Sequence, residues 1–236
     1  MSEQESITTI ELSLLKPYHG YQSSIIPLSS KHYIYLAYWD RTPTQFPGFS
    51  NVWLVTPENK RILFSDPPAS SEIVCLYHEF DEIYGASIRL DWISDNHFNV
   101  RCGSIDKEYE LIAEFQINEP FSSRLLLALG SGPPTKLRIS KTMTAVTNFL
   151  VNSLVAKGGS VLVGKTETGQ PFYHGNAERL FQVVTGSASL NGEDIGTVTS
   201  PTWPVEFGDA VPYFKPVVKL GTLYIPFAQD MLENSA

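Results

Sequence analysis

The 236-residue chain carries 25 acidic and 17 basic side chains, which gives it a net charge of −8. Hydrophobic residues make up 42% of the chain and charged residues only 18%, so a packed core is expected and a disordered chain is excluded. The acidic balance and the absence of a Lys/Arg cluster argue against nucleic-acid binding and against binding to anionic membrane surfaces.

Neither the N-terminal residues nor the apolar runs predict export or membrane insertion. Residues 1–9 lack the basic start and the apolar run of a secretory signal. No apolar stretch approaches the roughly 20 residues that a membrane span requires. We therefore expect a soluble, cytoplasmic protein that folds as a single β-barrel-like domain over residues 1–236. The sequence does not decide between a monomer and a homo-oligomer.

The first half of the chain predicts an all-β fold, because short β-branched and aromatic runs alternate with glycine and proline turns. In residues 32–39 both alternating sets are apolar or aromatic, so this strand is expected to be covered on both faces. Residues 86–92 place apolar side chains on one face and Ser87, Arg89 and Asp91 on the other. Such a polar face is compatible with a strand that looks into a cavity.

Further along the chain, residues 109–117 alternate apolar and polar side chains and indicate a half-exposed strand. Residues 72–117 as a whole are therefore predicted to form an antiparallel meander of three or four strands. Asn191 and Gly192 supply the two positive φ angles of a type I′ turn and predict a β-hairpin.

One segment, residues 140–157, departs from the β pattern and predicts a single amphipathic helix. Ser140 is the candidate N-cap, and Gly158 and Gly159 follow in the position of a C′ glycine. Its apolar side chains recur at spacings of three and four and share one face: Met143, Val146, Phe149, Leu150 and Leu154. We expect this face to pack on the sheet.

The cysteines and histidines do not predict a metal site. Cys75 and Cys102 each lie in an apolar run, so two reduced, buried thiols are expected, with a disulfide or a reactive pair as the alternatives. The five histidines are scattered and lack the short spacing of zinc ligands. No metal and no cofactor is therefore predicted.

The densest group of titratable residues occupies residues 78–91. Several carboxylates near one arginine can form an acid/base pair, because crowded like charges raise one carboxyl pKa while the arginine keeps another ionised. The alternative interpretation is a solvated acidic loop without chemistry. If residues 73–80 form a strand, His78 and Glu79 point to opposite faces.

A second candidate segment, residues 173–179, contains His174, the best-placed general base among the histidines, and a plain loop is the alternative. The spacing from Gly159 to Thr166 fits a Walker A pattern. However, its intervening residues indicate a β-strand and a turn follows Thr166, so nucleotide hydrolysis is rejected.

Two segments resemble the acetoacetate decarboxylase-like superfamily of β-barrels. Residues 81–86 (Asp-Glu-Ile-Tyr-Gly-Ala) are similar to its Glu-Ile-Trp/Tyr-Gly segment, and residues 177–181 with residues 202–205 resemble its Glu-Arg-Tyr and Pro-Trp-Pro-Leu segments. The family's Schiff-base lysine follows in a Phe-Pro-Lys motif, where this chain has Arg89. The resemblance thus implies a pocket without amine-based decarboxylation, with Arg89 available to bind a carboxylate or enolate oxygen.

Together these observations predict an all-β fold with minor α content: an antiparallel barrel or strongly curved sheet that encloses a largely apolar pocket for a small molecule. The predicted function is binding of an apolar or carboxylated metabolite. The alternatives are a lyase- or isomerase-type acid/base enzyme, a lipocalin-like carrier and an interaction module. The candidate catalytic residues are Glu82, Arg89, His78 and Glu178, and the candidate ligand-binding residues are Tyr84, Trp92, Arg179 and Trp203.

Overall fold

A computed structural model of the chain describes residues 15–131, 141–156, 162–202, 205–210 and 212–226. The strands of these residues are β1 (Leu15–Ser23), β2 (Ile26–Pro27), β3 (Tyr33–Arg41), β4 (Phe49–Val55), β5 (Arg61–Asp66), β6 (Glu82–Ser94), β7 (His97–Ser104), β8 (Glu110–Asn118), β9 (Val163–Lys165), β10 (Pro171–Leu190), β11 (Glu193–Thr197) and β12 (Val217–Pro226). The α-helices are α1 (Ser71–Cys75), α2 (Phe121–Ser131) and α3 (Lys141–Val151).

The strands form one sheet that curves into a ring, which confirms the all-β prediction. Its order is β1-β12-β10-β8-β7-β6-β5-β4-β3-β2, and a second pairing between β1 and β3 closes the ring. Gly20 permits this closure. A Cβ atom at this position would lie 2.0 Å from the carbonyl oxygen of Tyr38. The φ angle of Gly20, +153°, is also one that other residues rarely adopt.

One pair of neighbouring strands departs from the predicted antiparallel arrangement, because β5 and β6 are parallel. A parallel pair needs a crossover connection rather than a tight turn. Here the crossover contains α1, so residues 73–80, which were considered as a strand, instead begin in a helix. The predicted meander is thereby confined to β6, β7 and β8, which pair antiparallel in sequence.

The interior of the ring is filled by side chains. Apolar residues from strands all around the ring form one buried cluster, which includes Phe64, Phe98, Phe115, Phe181 and Val218. Aromatic contacts cross the ring: Trp92 on β6 lies 5.4 Å from Tyr21 on β1 and 6.3 Å from Phe181 on β10, measured between ring centroids. The interior of the ring, where the sequence predicts a ligand pocket, is therefore occupied by core side chains.

The outer face of the ring is covered over part of its circumference. In β3 and β4, the side chains that alternate with the interior set form a second cluster with α1, Phe172 and Phe207. The strand is consequently covered on both faces over residues 33–37, as its alternation predicts, whereas Tyr38 is 42% exposed. A third cluster joins Leu126 of α2 to Leu180 on β10 and Val217 on β12, and Leu150 of α3 packs against it.

Several local predictions are confirmed. Asn191 and Gly192 have φ values of 53° and 81° and connect β10 to β11 as a hairpin. Buried and exposed residues alternate throughout β8. Cys75 and Cys102 are free thiols as predicted, but only Cys102 is buried; Cys75 is half-buried, which differs from the prediction of two buried thiols.

The predicted helix at residues 140–157 corresponds to α3 and a π-helical turn, Asn152–Ala156. Its proposed caps, Ser140, Gly158 and Gly159, lie outside the described residues. The packing face is narrower than predicted, because the side chain of Phe149 is 69% exposed and Leu154 is also exposed. A second long helix, α2, was not predicted.

Candidate functional site

A cavity of about 910 Å³ lies on the outer face of the ring, between the strands and the helices. Strands β1, β3, β4, β10 and β12 contribute one wall. Helices α2 and α3 contribute apolar side chains to the opposite wall: Leu126, Leu127, Met143, Val146, Leu150 and Val151. This volume is large enough for a small organic molecule, and its lining is mostly apolar and aromatic.

Lys219 on β12 is the principal charged group that the fold directs into this cavity. Its neighbour Val218 points into the ring, so strand alternation turns the lysine to the outer face. The ammonium nitrogen Nζ lies 3.1 Å from Nδ1 of His174 and 3.3 Å from the carbonyl oxygen of Thr222. No carboxylate among the described residues forms an ion pair with it. Burial lowers the pKa of Lys219 to about 7.

His174 on β10 completes this polar group. It lies within the strand rather than in a loop between strands, and it also lines the cavity. Burial, and secondarily the charge of Lys219, lowers the pKa of His174 well below its usual value. The neutral imidazole thus accepts a hydrogen bond from Lys219 at Nδ1, and the pair can hold or exchange a proton next to an apolar space.

A second histidine, His78, borders the cavity from the segment that follows α1. Its Nδ1 lies 3.4 Å from Oε2 of Glu167, and Arg61 donates a hydrogen bond to the other oxygen of this carboxylate. Burial lowers the pKa of His78. The ring of His78 packs 4.6 Å from that of Trp53, so this histidine is held as part of the wall.

Glu178 marks the place where the cavity meets solvent. It lines the cavity, yet its side chain is exposed, and its Oε1 lies 2.9 Å from Nε2 of His19. Nδ1 of His19 lies 2.7 Å from Asp40. This chain of hydrogen bonds ties β10 to β1 and β3 beside the opening.

Of the predicted site residues, the described structure brings only His78 and Glu178 to the cavity. Arg89 is exposed on the polar face of β6, which faces solvent. Glu82 and Tyr84 lie elsewhere, in a hydrogen-bonded group at one end of the ring: Lys60 contacts Glu82 at 2.5 Å, and Tyr84 donates to Glu82 at 3.2 Å. The structure therefore does not bring Arg89 and Glu82 together.

The predicted ligand-binding residues also lie away from the cavity or outside the described residues. Trp92 packs against Tyr21 and Phe98. Arg179 is exposed, with its guanidinium carbon 4.5 Å from the centre of the Phe181 ring. Trp203 lies outside the described residues. Two other tryptophans, Trp39 and Trp53, do line the cavity.

Sequence reasoning missed Lys219 and two uncharged residues of the cavity wall, Gln22 and Asn51. The available signal was the position of a lysine between Val218 and Leu220 in a strand-forming run. A lysine in such a run is buried or exposed according to which face of the strand is covered.

A comparison of the chain with known proteins matched no family model, no curated protein and no solved structure. The resemblance to the acetoacetate decarboxylase-like superfamily therefore stays a prediction. None of the helices in the described ranges has the length and apolar character needed to cross a membrane. The same residues contain no group of three or more His, Cys, Asp or Glu side chains suited to a metal ion.

Proposed function

We propose that the protein binds a small, mostly apolar carboxylic acid in the cavity between the ring and the helices, with Lys219 as the counter-ion of the carboxylate. The observation that carries this proposal is the half-buried Lys219, whose amine faces an apolar cavity without a carboxylate partner among the described residues.

The charge of Lys219 supports an anionic ligand. A buried ammonium group is costly unless an anion lies next to it. A ligand carboxylate at hydrogen-bond distance from Nζ would supply this anion and would raise the pKa of Lys219 again. His174 cannot play this part, because its lowered pKa keeps it neutral.

The wall opposite Lys219 supports an apolar ligand body. Leu126, Leu150 and Val151 border the cavity from the helices, and Phe172 borders it from β10. Burial of an alkyl or aromatic group against these side chains is favourable at about 25 cal/mol per Å² of apolar surface. A carrier of the lipocalin kind, with its ligand inside the barrel, is less well supported because core side chains fill the ring.

The test begins with native mass spectrometry of the purified protein, which reveals any co-purifying small molecule. Isothermal titration calorimetry then compares decanoate with 1-decanol as probes. We expect decanoate to bind more tightly and the Lys219→Met variant to lose ten- to one-hundred-fold in decanoate affinity, because a charge-assisted hydrogen bond contributes about 1.5–3 kcal/mol.

The matched control is Lys107→Met, which removes an exposed lysine in the turn between β7 and β8. This variant should bind decanoate as the wild type does. The affinity of the wild type should also fall between pH 7 and pH 9, because the ammonium form of Lys219 is lost above its pKa of about 7. Equal affinities of the wild type and Lys219→Met for decanoate would contradict the proposal.

The contact between Lys219 and His174 favours a second candidate function, covalent chemistry at the amine. The neutral amine, which is populated near pH 7, is a nucleophile toward an aldehyde or ketone. Nζ would attack the carbonyl carbon, a C–N bond would form, and the carbonyl oxygen would leave as water to give an imine. Both N–H protons of the amine leave with this oxygen as water, and His174 is placed to relay one of them from nitrogen to oxygen.

This candidate is tested by incubation of the protein with decanal and sodium cyanoborohydride, which reduces an imine to a stable amine. Peptide mass spectrometry should locate one adduct, on Lys219, in the wild type and in the control Lys107→Met. The Lys219→Met variant, digested in the same way, should carry no adduct at this position. Adducts that are spread over surface lysines, without enrichment at Lys219, would show that Lys219 is no more reactive toward the aldehyde than other lysines.

A further inference from the structure

The cavity wall contains a row of side chains that crosses several neighbouring strands. Lys219 on β12 pairs directly with Gln22 on β1, Gln22 pairs with Ala37 on β3, and Ala37 pairs with Asn51 on β4. Paired residues point to the same face of a sheet, and Lys219, Gln22 and Asn51 all line the cavity. The row thus has an amine at one end and an amide at the other.

Three polar atoms in this part of the cavity wall have no hydrogen-bond partner among the described residues. One belongs to Gln22, which is the neighbour of Lys219 in the row, and two lie at the far end, on Asn51 and on Trp53 two residues further along β4. These atoms, Oε1 of Gln22, Oδ1 of Asn51 and Nε1 of Trp53, are buried. The residues that bear them are only 8%, 2% and 6% exposed, respectively. Buried polar atoms nearly always have a partner, so such a group in a cavity wall points to a ligand or to water that a ligand replaces.

The chemistry of these atoms specifies the group that they would bind. At the Asn51 end, the amide oxygen of Asn51 accepts a hydrogen bond, whereas the indole nitrogen of Trp53 donates one. A hydroxyl group serves both kinds of atom. A carboxylate does not, because it would place its negative charge against the acceptor oxygen of Asn51. A methyl group does not either, because it would leave both atoms unpaired.

The separation of the two ends is set by the sheet. Lys219 and Asn51 lie three strand spacings apart, which corresponds to about 14 Å. Gln22 and Ala37 lie between them in the row, and Gln22 lines the cavity. An extended ten-carbon hydroxy acid has about this length when measured from a carboxylate oxygen to the hydroxyl oxygen.

We propose that the ligand is a bifunctional acid: a carboxylate held by Lys219, an apolar chain of about ten carbons, and a terminal hydroxyl held by Asn51 and Trp53, with the two polar ends about 14 Å apart. This inference rests on the proposed function, because it requires Lys219 to bind the carboxylate. It adds the class of ligand and the residues that select it.

Calorimetric titration of the full-length protein with decanoate, 10-hydroxydecanoate and decanedioate tests the inference. We expect 10-hydroxydecanoate to bind at least tenfold more tightly than decanoate, although the hydroxyl makes it the more polar molecule. Decanedioate should bind more weakly than 10-hydroxydecanoate. The shorter pair, hexanoate and 6-hydroxyhexanoate, should show no such preference, because neither spans the row.

Two variants test the selecting residues separately from Lys219. Asn51→Leu removes the acceptor at the amide end, and Trp53→Phe removes the indole donor while it keeps an aromatic ring. Each should abolish the preference for the hydroxylated acid, measured as the ratio of the affinities of the same variant for 10-hydroxydecanoate and for decanoate. Asn118→Leu, which alters an exposed residue on β8, is the control and should keep the preference.

The outcomes distinguish the two proposals. If decanoate binds in a Lys219-dependent way and the hydroxyl brings no gain, the bifunctional ligand is overturned and the proposed function stands. If a gain appears but survives in both variants, the assignment to Asn51 and Trp53 is overturned. If none of the acids binds, both proposals are overturned.

Discussion

Replacement of Lys219 by methionine should change how the stability of the protein depends on pH. The pKa of Lys219 falls from 10.5, its ordinary value, to about 7 in the folded state because the side chain is buried. Between these two pH values the unfolded chain carries a proton that the folded protein has lost. The free energy of unfolding therefore rises as pH increases across this window. It falls by the same amount when pH is lowered from 10.5 to about 7.

The size of the effect follows from the shift in pKa. Each pH unit in the window contributes about 1.4 kcal/mol, so the full window corresponds to about 5 kcal/mol. Above about pH 9.5 the tyrosines interfere, because burial raises the pKa of Tyr18 to about 12 and its phenol ionises first in the unfolded chain. From pH 7 to pH 9.5 the wild type should gain about 3 kcal/mol relative to Lys219→Met.

The assay is urea unfolding followed by circular dichroism at half-unit steps of pH. The wild type, Lys219→Met and the exposed-site control Lys107→Met are measured in the same buffers at constant ionic strength. We expect the free energy of unfolding to rise with pH at the same slope in the wild type and the control, and at a smaller slope in Lys219→Met. Parallel pH profiles for all three proteins would refute the argument that burial perturbs the amine.

Three further predictions concern the ring itself. Phe115→Ala should lower the free energy of unfolding by about 3–5 kcal/mol in urea titrations, because Phe115 is fully buried in the ring interior; a loss below about 1 kcal/mol would contradict a filled ring. Gly20→Ala should cost more than about 2 kcal/mol in the same assay, because its Cβ would collide with the carbonyl of Tyr38; an unchanged urea midpoint would show that β1 and β3 do not approach so closely. In a Cys75→Ser protein, Cys102 should not react with a thiol reagent until urea unfolds the chain, because burial raises its pKa to about 12; prompt reaction of the native protein would exclude a buried thiol.

Local patterns predicted many elements of the fold correctly. The alternation in residues 109–117 is the alternation of burial in β8, and the Asn191-Gly192 pair forms the hairpin turn. These features depend on the chemistry of adjacent residues: strand side chains alternate between two faces, and asparagine and glycine tolerate positive φ. The second long helix, α2, was missed although its sequence contains the run Leu125–Leu127.

The candidate site was much less predictable. Sequence reasoning favoured the acidic residues 78–91, because several titratable groups are close together in the chain. In the structure Arg89 faces solvent and Glu82 bonds to Lys60, and only His78 of this segment reaches the cavity. Proximity along the chain does not determine which strand face is covered.

The sequence by itself determined the class of the fold, the strand near residue 33 that is covered on two faces, the hairpin turn and the presence of an amphipathic helix near residue 141. Only the tertiary structure decided that the ring interior is filled and that the cavity lies outside it, beneath α2 and α3. Lys219 and Asn51 are 168 residues apart in the chain and share a row only because β12, β1, β3 and β4 are neighbours in the closed sheet. Strand alternation is a local property, whereas strand order and the covering of a face depend on contacts between residues far apart in the sequence.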